Sequence, residues 1–214
     1  MKPTVECIIL AAGNGVRFKR DKMAILIDGK KPYDIIFSEA DKTNLFTCIT
    51  TVGPDGHVQG GNTRRESIIA GMSTLSSAIA SYTMVIDAAR FLVSRDDIAL
   101  LVSEAIANDV DACAFARKVT NSIVINSDLT YSSTNRADYF ETHTPHIFKT
   151  EVLRYILKHT EETNYVDEFS AAVDLPSIKT MTVMGNWRTA LKLTYPEDLA
   201  IMESLYHAQD LHHS

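Results

Sequence analysis

The class of fold is decided by the stretch Val5-Glu6-Cys7-Ile8-Ile9-Leu10-Ala11-Ala12-Gly13-Asn14-Gly15. Its first six residues are mostly apolar or β-branched, and small residues and glycines follow at once. A short apolar run bounded by such a signal indicates a buried strand that leads into a glycine turn. We therefore predict a strand over residues 5–10.

The same pattern returns along the chain, with helical segments between the strands. Further buried strands are predicted at Leu45–Val52, Tyr82–Ile86 and Ala112–Ala116. One helix is predicted after Gly60-Gly61-Asn62, where Thr63 and Glu66 can form a capping box, and another at Asp96–Asn108. Short buried strands that alternate with helices of this length favour a doubly wound, mostly parallel α/β sheet.

Residues 117–147 interrupt the alternation with short strand-like pieces joined by Asn, Ser and Asp. These pieces are too short for a core of their own, so we expect an antiparallel excursion that packs elsewhere, for example on a second subunit. The pattern then resumes in segments that we predict as a helix at Thr150–Thr163, strands at Thr180–Met184 and Ala190–Leu193, and a last helix from Pro196. The whole chain, 1–214, is predicted to be one domain.

Composition excludes several classes of protein. The chain has 214 residues, with 21 Lys and Arg against 27 Asp and Glu and a formal net charge of −6. This balance argues against a surface that binds nucleic acid throughout, and 45% hydrophobic residues argue against disorder. Three separated cysteines suit a reducing compartment. Because no apolar run approaches the roughly 20 residues of a membrane span, we expect a complete cytoplasmic protein.

Four segments could carry chemistry. The glycine turn is followed by Arg17 and Lys22, a pattern that suits an anionic ligand but also an ordinary turn with solvated lysines. The two glycines before residues 62–67 offer backbone amides, although an ordinary helix cap is the better explanation of this pattern alone. Asp87 ends a strand at the edge where α/β proteins bind ligands, and its carboxylate is a candidate Mg²⁺ ligand or a helix cap. Lys192 lies in a further turn and by itself indicates little.

Taken in order, these segments resemble the 2-C-methyl-D-erythritol 4-phosphate cytidylyltransferase family over about residues 5–205. The motifs that carry the resemblance are LAAGNGVRF (10–18), GGNTRRES (60–67), DAAR (87–90), THTPHIFK (142–149) and LKLTYPEDL (191–199). The resemblance implies a Rossmann-like sheet and a homodimer in which a β-arm, here about 117–147, crosses to the partner. It also implies transfer of CMP from CTP to a polyol phosphate, with release of pyrophosphate and with Mg²⁺ as cofactor.

The resemblance further assigns roles to individual positions. Residues expected at the CTP are Ala11, Ala12, Gly13, Gly15, Gly61, Asn62, Arg64, Ser67 and Ala88. The expected catalytic cations are Arg17, Lys22 and Lys192, of which Lys192 also binds the acceptor phosphate. The expected acceptor-binding residues are Asp87, Thr120, Arg136 and Thr144, with Arg136 and Thr144 supplied by the partner's arm. Asp87 is also the expected metal ligand.

The chain departs from the family pattern at several positions. Asn62 replaces an acid, Phe91 a proline and His146 a glutamine, and the span between Gly29 and Gly60 is compressed as though a helix or strand connection were missing. Methylerythritol phosphate is the expected acceptor, and ribitol 5-phosphate or a capsule precursor is the alternative. A catalytically inactive nucleotide-binding homologue is an alternative of another class, against which the retained cations argue.

Overall fold

The chain forms one six-stranded, mostly parallel sheet with helices on both faces, which confirms the predicted doubly wound α/β fold. A computed structural model describes residues 3–12, 16–18, 21–75, 80–128, 130–160 and 164–210. The strands are β1 Val5–Leu10, β2 Phe46–Val52, β3 Tyr82–Asp87, β4 Ala112–Lys118, β5 Val124–Ser127, β6 Thr130–Ser133, β7 Phe140–Lys149 and β8 Thr180–Met184. The α-helices are α1 Pro32–Lys42, α2 Arg64–Thr74, α3 Arg95–Ala107, α4 Thr150–His159, α5 Glu168–Val173 and α6 Pro196–Asp210.

The strand order is β2-β1-β3-β7-β4-β8, and β7 runs antiparallel to both of its neighbours. The pairs β1–β2, β1–β3 and β4–β8 are parallel. The carboxyl ends of β1, β2 and β3 therefore meet at one edge of the sheet, which is where α/β proteins of this kind hold their ligands.

Alternation along β1 shows how the sheet is buried on both faces. Cys7 and Ile9 face a core layer that includes residues of α1, α3 and α6, whereas Ile8 and Leu10 face a layer that includes residues of α2, α4 and α5. Helix α2 approaches the sheet so closely that a Cβ on Gly71 would lie 2.8 Å from a methyl carbon of Ile8. This close contact holds α2 directly against β1.

The span 29–60 contains helix α1 and strand β2, and only residues 53–59 lie between the end of β2 and Gly60. That this span lacks a connection which the family has stays a prediction. One expectation about the elements is wrong. The predicted strand Ala190–Leu193 is instead the end of a 3-10 helix, Trp187–Ala190, followed by an irregular segment. Leu193 is held there by a hydrogen bond from its N–H to the carbonyl of Ala89, which directs the preceding lysine toward the end of β3.

The excursion from the sheet is shorter than the predicted 117–147. Strand β4 continues to Lys118, and β7 begins at Phe140 and is paired with β4 from its first residue. Between them β5 and β6 form a separate two-stranded sheet whose described residues are all exposed. That this excursion is an arm of a single domain remains a prediction.

Candidate active site

A cavity of about 580 Å³ opens where β1 and β3 end. Its walls come from the segment after β1, the loop before α2, the end of β3 and the segment before α6. Nine residues with a predicted ligand role line it: Ala11, Ala12, Lys22, Gly61, Asn62, Arg64, Ser67, Asp87 and Lys192. The sheet thus brings together residues from four of the five motifs.

The loop before α2 is held in place by its own hydrogen bonds. The Thr63 hydroxyl accepts from the Glu66 N–H at 3.1 Å, and the Glu66 carboxylate accepts from the Asn62 N–H at 2.6 Å. The Gly61 N–H donates to the Ser67 hydroxyl at 3.2 Å. The expectation that the two glycines offer free amides to an anion is therefore wrong at Gly61, whose N–H is used within the loop.

Gly60 brings this loop against the turn that follows β1. A Cβ at this position would lie 2.3 Å from the Cβ of Ala12, a separation that packed atoms do not tolerate. The small residues at both positions therefore set the width of the cavity on this side.

Asp87 lies at the centre of the charged side of the cavity and is buried. One carboxylate oxygen accepts from Nη1 of Arg64, and the other accepts from Nζ of Lys192 at 2.6 Å. Burial by itself raises the pKa of Asp87, but the charges of Arg64 and Lys192 outweigh it and hold the pKa below its usual value. The Asp87 side chain makes no helix-capping hydrogen bond, so the alternative prediction of a helix-capping aspartate is wrong.

Of the two other cations predicted at this site, the structure places Lys22 in the cavity wall and Arg17 outside the described walls. Lys22 lines the cavity, and its Nζ donates to the carbonyl of Leu193 at 3.4 Å. Burial and the charge of Lys192 lower the pKa of Lys22. Arg17 is exposed, with its guanidinium carbon 5.8 Å from the centre of the Tyr195 ring, and it is not among the described residues that line the cavity.

Four further predicted site residues that the structure describes lie outside the cavity walls: Ala88, Thr120, Arg136 and Thr144. Ala88 is fully buried, and the neighbouring Ala89 lines the cavity instead. Thr144 is buried, and its hydroxyl accepts from the Asp87 N–H at 3.4 Å. Thr120 and Arg136 are exposed beside β5 and β6, where Nη1 of Arg136 donates to the carbonyl of Thr120. Gly13 and Gly15 lie outside the described residues.

Sequence reasoning missed Glu168, the first residue of α5. Its carboxylate is buried and accepts from Nε and Nη2 of Arg64 at 3.1 and 3.2 Å. Burial raises the pKa of Glu168, and the Arg64 charge opposes that shift. The available signal was a capping box at Asp167 and Ser170, which locates a helix start but not what that helix contacts.

The fold and the cavity define a doubly wound α/β protein whose cationic pocket, at the carboxyl ends of the strands, suits a phosphorylated ligand. The family model for 2-C-methyl-D-erythritol 4-phosphate cytidylyltransferase matches residues 33–207. Since this is more than half of the chain, the chain belongs to that family. The matched part includes the loop before α2, Asp87 and Lys192, whereas Arg17 and Lys22 precede it.

Individual proteins agree with this assignment. The chain is 26% identical over 221 residues to the 2-C-methyl-D-erythritol 4-phosphate cytidylyltransferase of Aliivibrio fischeri strain ATCC 700601 / ES114, covering 94% of this chain and 92% of the relative. It is 28% identical to the enzyme of that name from Haemophilus influenzae strain PittEE, covering 95% and 96%. The structure of 4-diphosphocytidyl-2C-methyl-D-erythritol synthase from Anaerococcus prevotii DSM 20548 superposes with a TM-score of 0.79 at 19% identity, covering 96% and 99%. That last likeness supports the fold.

Proposed function

We propose that this chain transfers CMP from CTP to the phosphate of 2-C-methyl-D-erythritol 4-phosphate and releases pyrophosphate, a step of isoprenoid precursor biosynthesis. The observation that carries the proposal is the convergence of Lys22 and Lys192 on one cavity, within a chain of that family. An acidic protein has concentrated positive charge at the point where two anionic substrates would have to meet.

The proposed reaction is an in-line displacement at the α-phosphorus of CTP. An oxygen of the acceptor phosphate forms the new P–O bond, and the bond to the β-phosphate oxygen breaks as pyrophosphate leaves. A phosphate monoester is largely ionised near neutral pH, so no proton has to be removed from the nucleophile. The work left to the protein is to position two anions and neutralise charge, which cations rather than a general base perform.

The cations of the cavity divide this work by position. We assign Lys22, whose ammonium donates to the Leu193 carbonyl, to the triphosphate. Arg17, which lies outside the described cavity walls, is proposed as a second contact of the triphosphate. We assign Lys192, whose ammonium is bound by Asp87, to the acceptor phosphate. Gly61, Asn62 and Ser67 form the wall that we assign to the cytosine, where the Asn62 side-chain amide can accept a hydrogen bond from the base amine.

Mg²⁺ is part of the proposal as an ion that arrives with CTP. The described residues hold no group of three or more His, Cys, Asp or Glu that could enclose a metal ion. The predicted ligand Asp87 has each oxygen paired with a cation, so the residues present do not fit a metal held chiefly by the protein. Mg²⁺ commonly binds through substrate phosphates and water with few protein ligands, and that mode needs no rearrangement of Asp87.

We also propose a homodimer in the cytoplasm. The exposed apolar side chains of Val124, Ile125 and Tyr131 on the two-stranded sheet support an interface with a second copy. Within the described residues, no helix is both long enough and apolar enough to cross a bilayer.

The test is pyrophosphate release from CTP and Mg²⁺ with a panel of polyol phosphates. We expect release with 2-C-methyl-D-erythritol 4-phosphate and little with ribitol 5-phosphate. Release with another acceptor alone would replace the proposed substrate. CTP binding by calorimetry without release on any acceptor would instead indicate an inactive nucleotide-binding homologue.

A further inference from the structure

Four charged side chains form a continuous chain of contacts at the cavity wall: Glu168, Arg64, Asp87 and Lys192. Glu168 accepts from Nε of Arg64 at 3.1 and 3.3 Å and from Nη2 at 3.2 Å. Nη1 of the same guanidinium reaches Asp87, whose second oxygen holds Lys192 at 2.6 Å. Signs alternate along the chain, so each group is bound by an opposite charge.

Glu168 itself is placed beyond the reach of a ligand in the cavity. Its side chain is 7% exposed, and it is absent from the described residues that line the cavity, whereas Arg64 and Asp87 are among them. Helix α5 presents Glu168 as its first residue, fixed by the capping box between Asp167 and Ser170. Any effect of Glu168 on catalysis must therefore pass through Arg64.

The shape of the guanidinium explains what this contact does. Its donors lie in a rigid plane, so a carboxylate that occupies Nε and Nη2 fixes the direction in which Nη1 points. Here that direction is toward Asp87. Without Glu168, Arg64 would be free to rotate toward the phosphates of a ligand, and Asp87 would lose its fixed partner.

We propose that Glu168 is a positioning residue, which holds Arg64 against Asp87 so that Asp87 keeps the Lys192 ammonium in place for the acceptor phosphate. This inference rests on the proposed function and adds a residue of α5 to the machinery of the same site. A lysine at position 64 could not replace the arginine in this role, because an ammonium is a point charge that cannot bind two carboxylates in a fixed plane.

The test is a double-mutant cycle with Glu168→Gln and Arg64→Lys, measured as kcat and as KM for each substrate. We expect Glu168→Gln to lower kcat about tenfold and to raise KM for the acceptor, with KM for CTP within threefold of wild type. In the Arg64→Lys background, Glu168→Gln should change kcat by less than twofold. An equal loss in both backgrounds, or an equal rise in both KM values, would overturn the proposal.

Two further variants separate positioning from loss of fold. Asp111→Asn removes a carboxylate that binds Lys149 at the opposite end of the sheet, and it should leave all kinetic constants within twofold of wild type. Glu168→Asp keeps the negative charge but shortens the side chain by one methylene, so its kcat should fall less than that of Glu168→Gln. If Glu168→Gln does not fold, Glu168→Asp takes its place in the double-mutant cycle. Wild type inactive with every acceptor would refute the proposed function, whereas active wild type without coupling would refute only the role of Glu168.

Discussion

At the scale of single residues, Asp87 shows how a site is built from parts that are far apart in the chain. Its two oxygens bind cations that lie 23 and 105 positions away. Because each oxygen has its own cation, loss of either cation still leaves the buried carboxylate with one charged partner. The sequence indicated each of these residues by motif, but nothing in spacing indicates that Arg64 and Lys192 share one carboxylate.

Two buried histidines beneath the site make stability depend on pH. His143 lies on β7, with its ring stacked on Phe115 at a centroid separation of 6.0 Å. Burial lowers the pKa of His143 to about 4, and contact with the Thr144 carbonyl opposes that shift only in part. Burial lowers the pKa of His146 as well.

The sign of the pH effect follows from these shifts. The unfolded chain binds a proton at each histidine below about pH 6.5, whereas folded His143 stays neutral until about pH 4. The free energy of unfolding should therefore fall as pH falls through this window, by at most about 1.4 kcal/mol per pH unit for each histidine. Urea unfolding of His143→Gln between pH 6.5 and 4.5 should show a shallower dependence than wild type. An equal dependence of unfolding free energy on pH in wild type and His143→Gln would contradict the lowered pKa of His143. The matched control is His159→Gln, on the exposed face of α4, which should keep the dependence of wild type.

At the scale of elements, the structure shows which local sequence signals were sufficient to predict a helix or a strand. Helix α2 was predicted from its capping box, and Thr63 and Glu66 form that box in the structure. Helix α1 was missed because its N-cap, Lys31, makes no side-chain cap to the backbone. Its buried residues are also few: Pro32, Ile35, Ile36 and Ala40. Residues 190–193 read as a strand by composition, but tertiary contact with Ala89 holds them irregular.

The capping box of α2 also holds residues that line the cavity, whereas the capping box of α3 does not. Removing the two caps should therefore have equal effects on stability but different effects on substrate binding. Thr63 and Ser94 cap α2 and α3 through the same pair of hydrogen bonds. Thr63→Ala and Ser94→Ala should each lower the free energy of unfolding by about 1 kcal/mol. Only Thr63→Ala should also raise KM for CTP, because residues 59–64 line the cavity and α3 contributes nothing to its described walls. Urea unfolding and steady-state kinetics of both variants check this, and equal KM values would show that the cap does not shape the nucleotide site.

At the scale of the whole molecule, the described cavity walls lack three of the residues that the resemblance places at the acceptor: Thr120, Arg136 and Thr144. Thr120 and Arg136 lie together beside the two-stranded sheet, outside the described cavity walls. A sheet of two four-residue strands is marginal by itself, and its apolar side chains are exposed. The hydrophobic pattern of one chain predicts the fold, but it does not indicate which residues a proposed second copy would supply to the site.

A mixture of two inactive variants tests whether the second copy completes the site. If Arg136 acts in the partner's cavity and Lys192 in its own, a heterodimer of Arg136→Ala and Lys192→Ala contains one intact site and one with both defects. Random exchange at equal concentrations makes half of the dimers mixed, so activity should return to roughly a quarter of wild type. The structure places Thr120 against Arg136 on the same excursion, so Thr120 would reach the same site as Arg136. A mixture of Arg136→Ala with Thr120→Ala should therefore regain nothing, because each site receives one of the two changes. Differently tagged chains verify that the subunits exchange. If they exchange and the first mixture still recovers no activity, Arg136 and Lys192 act in the same subunit's site, because every site of the heterodimer then carries one defect.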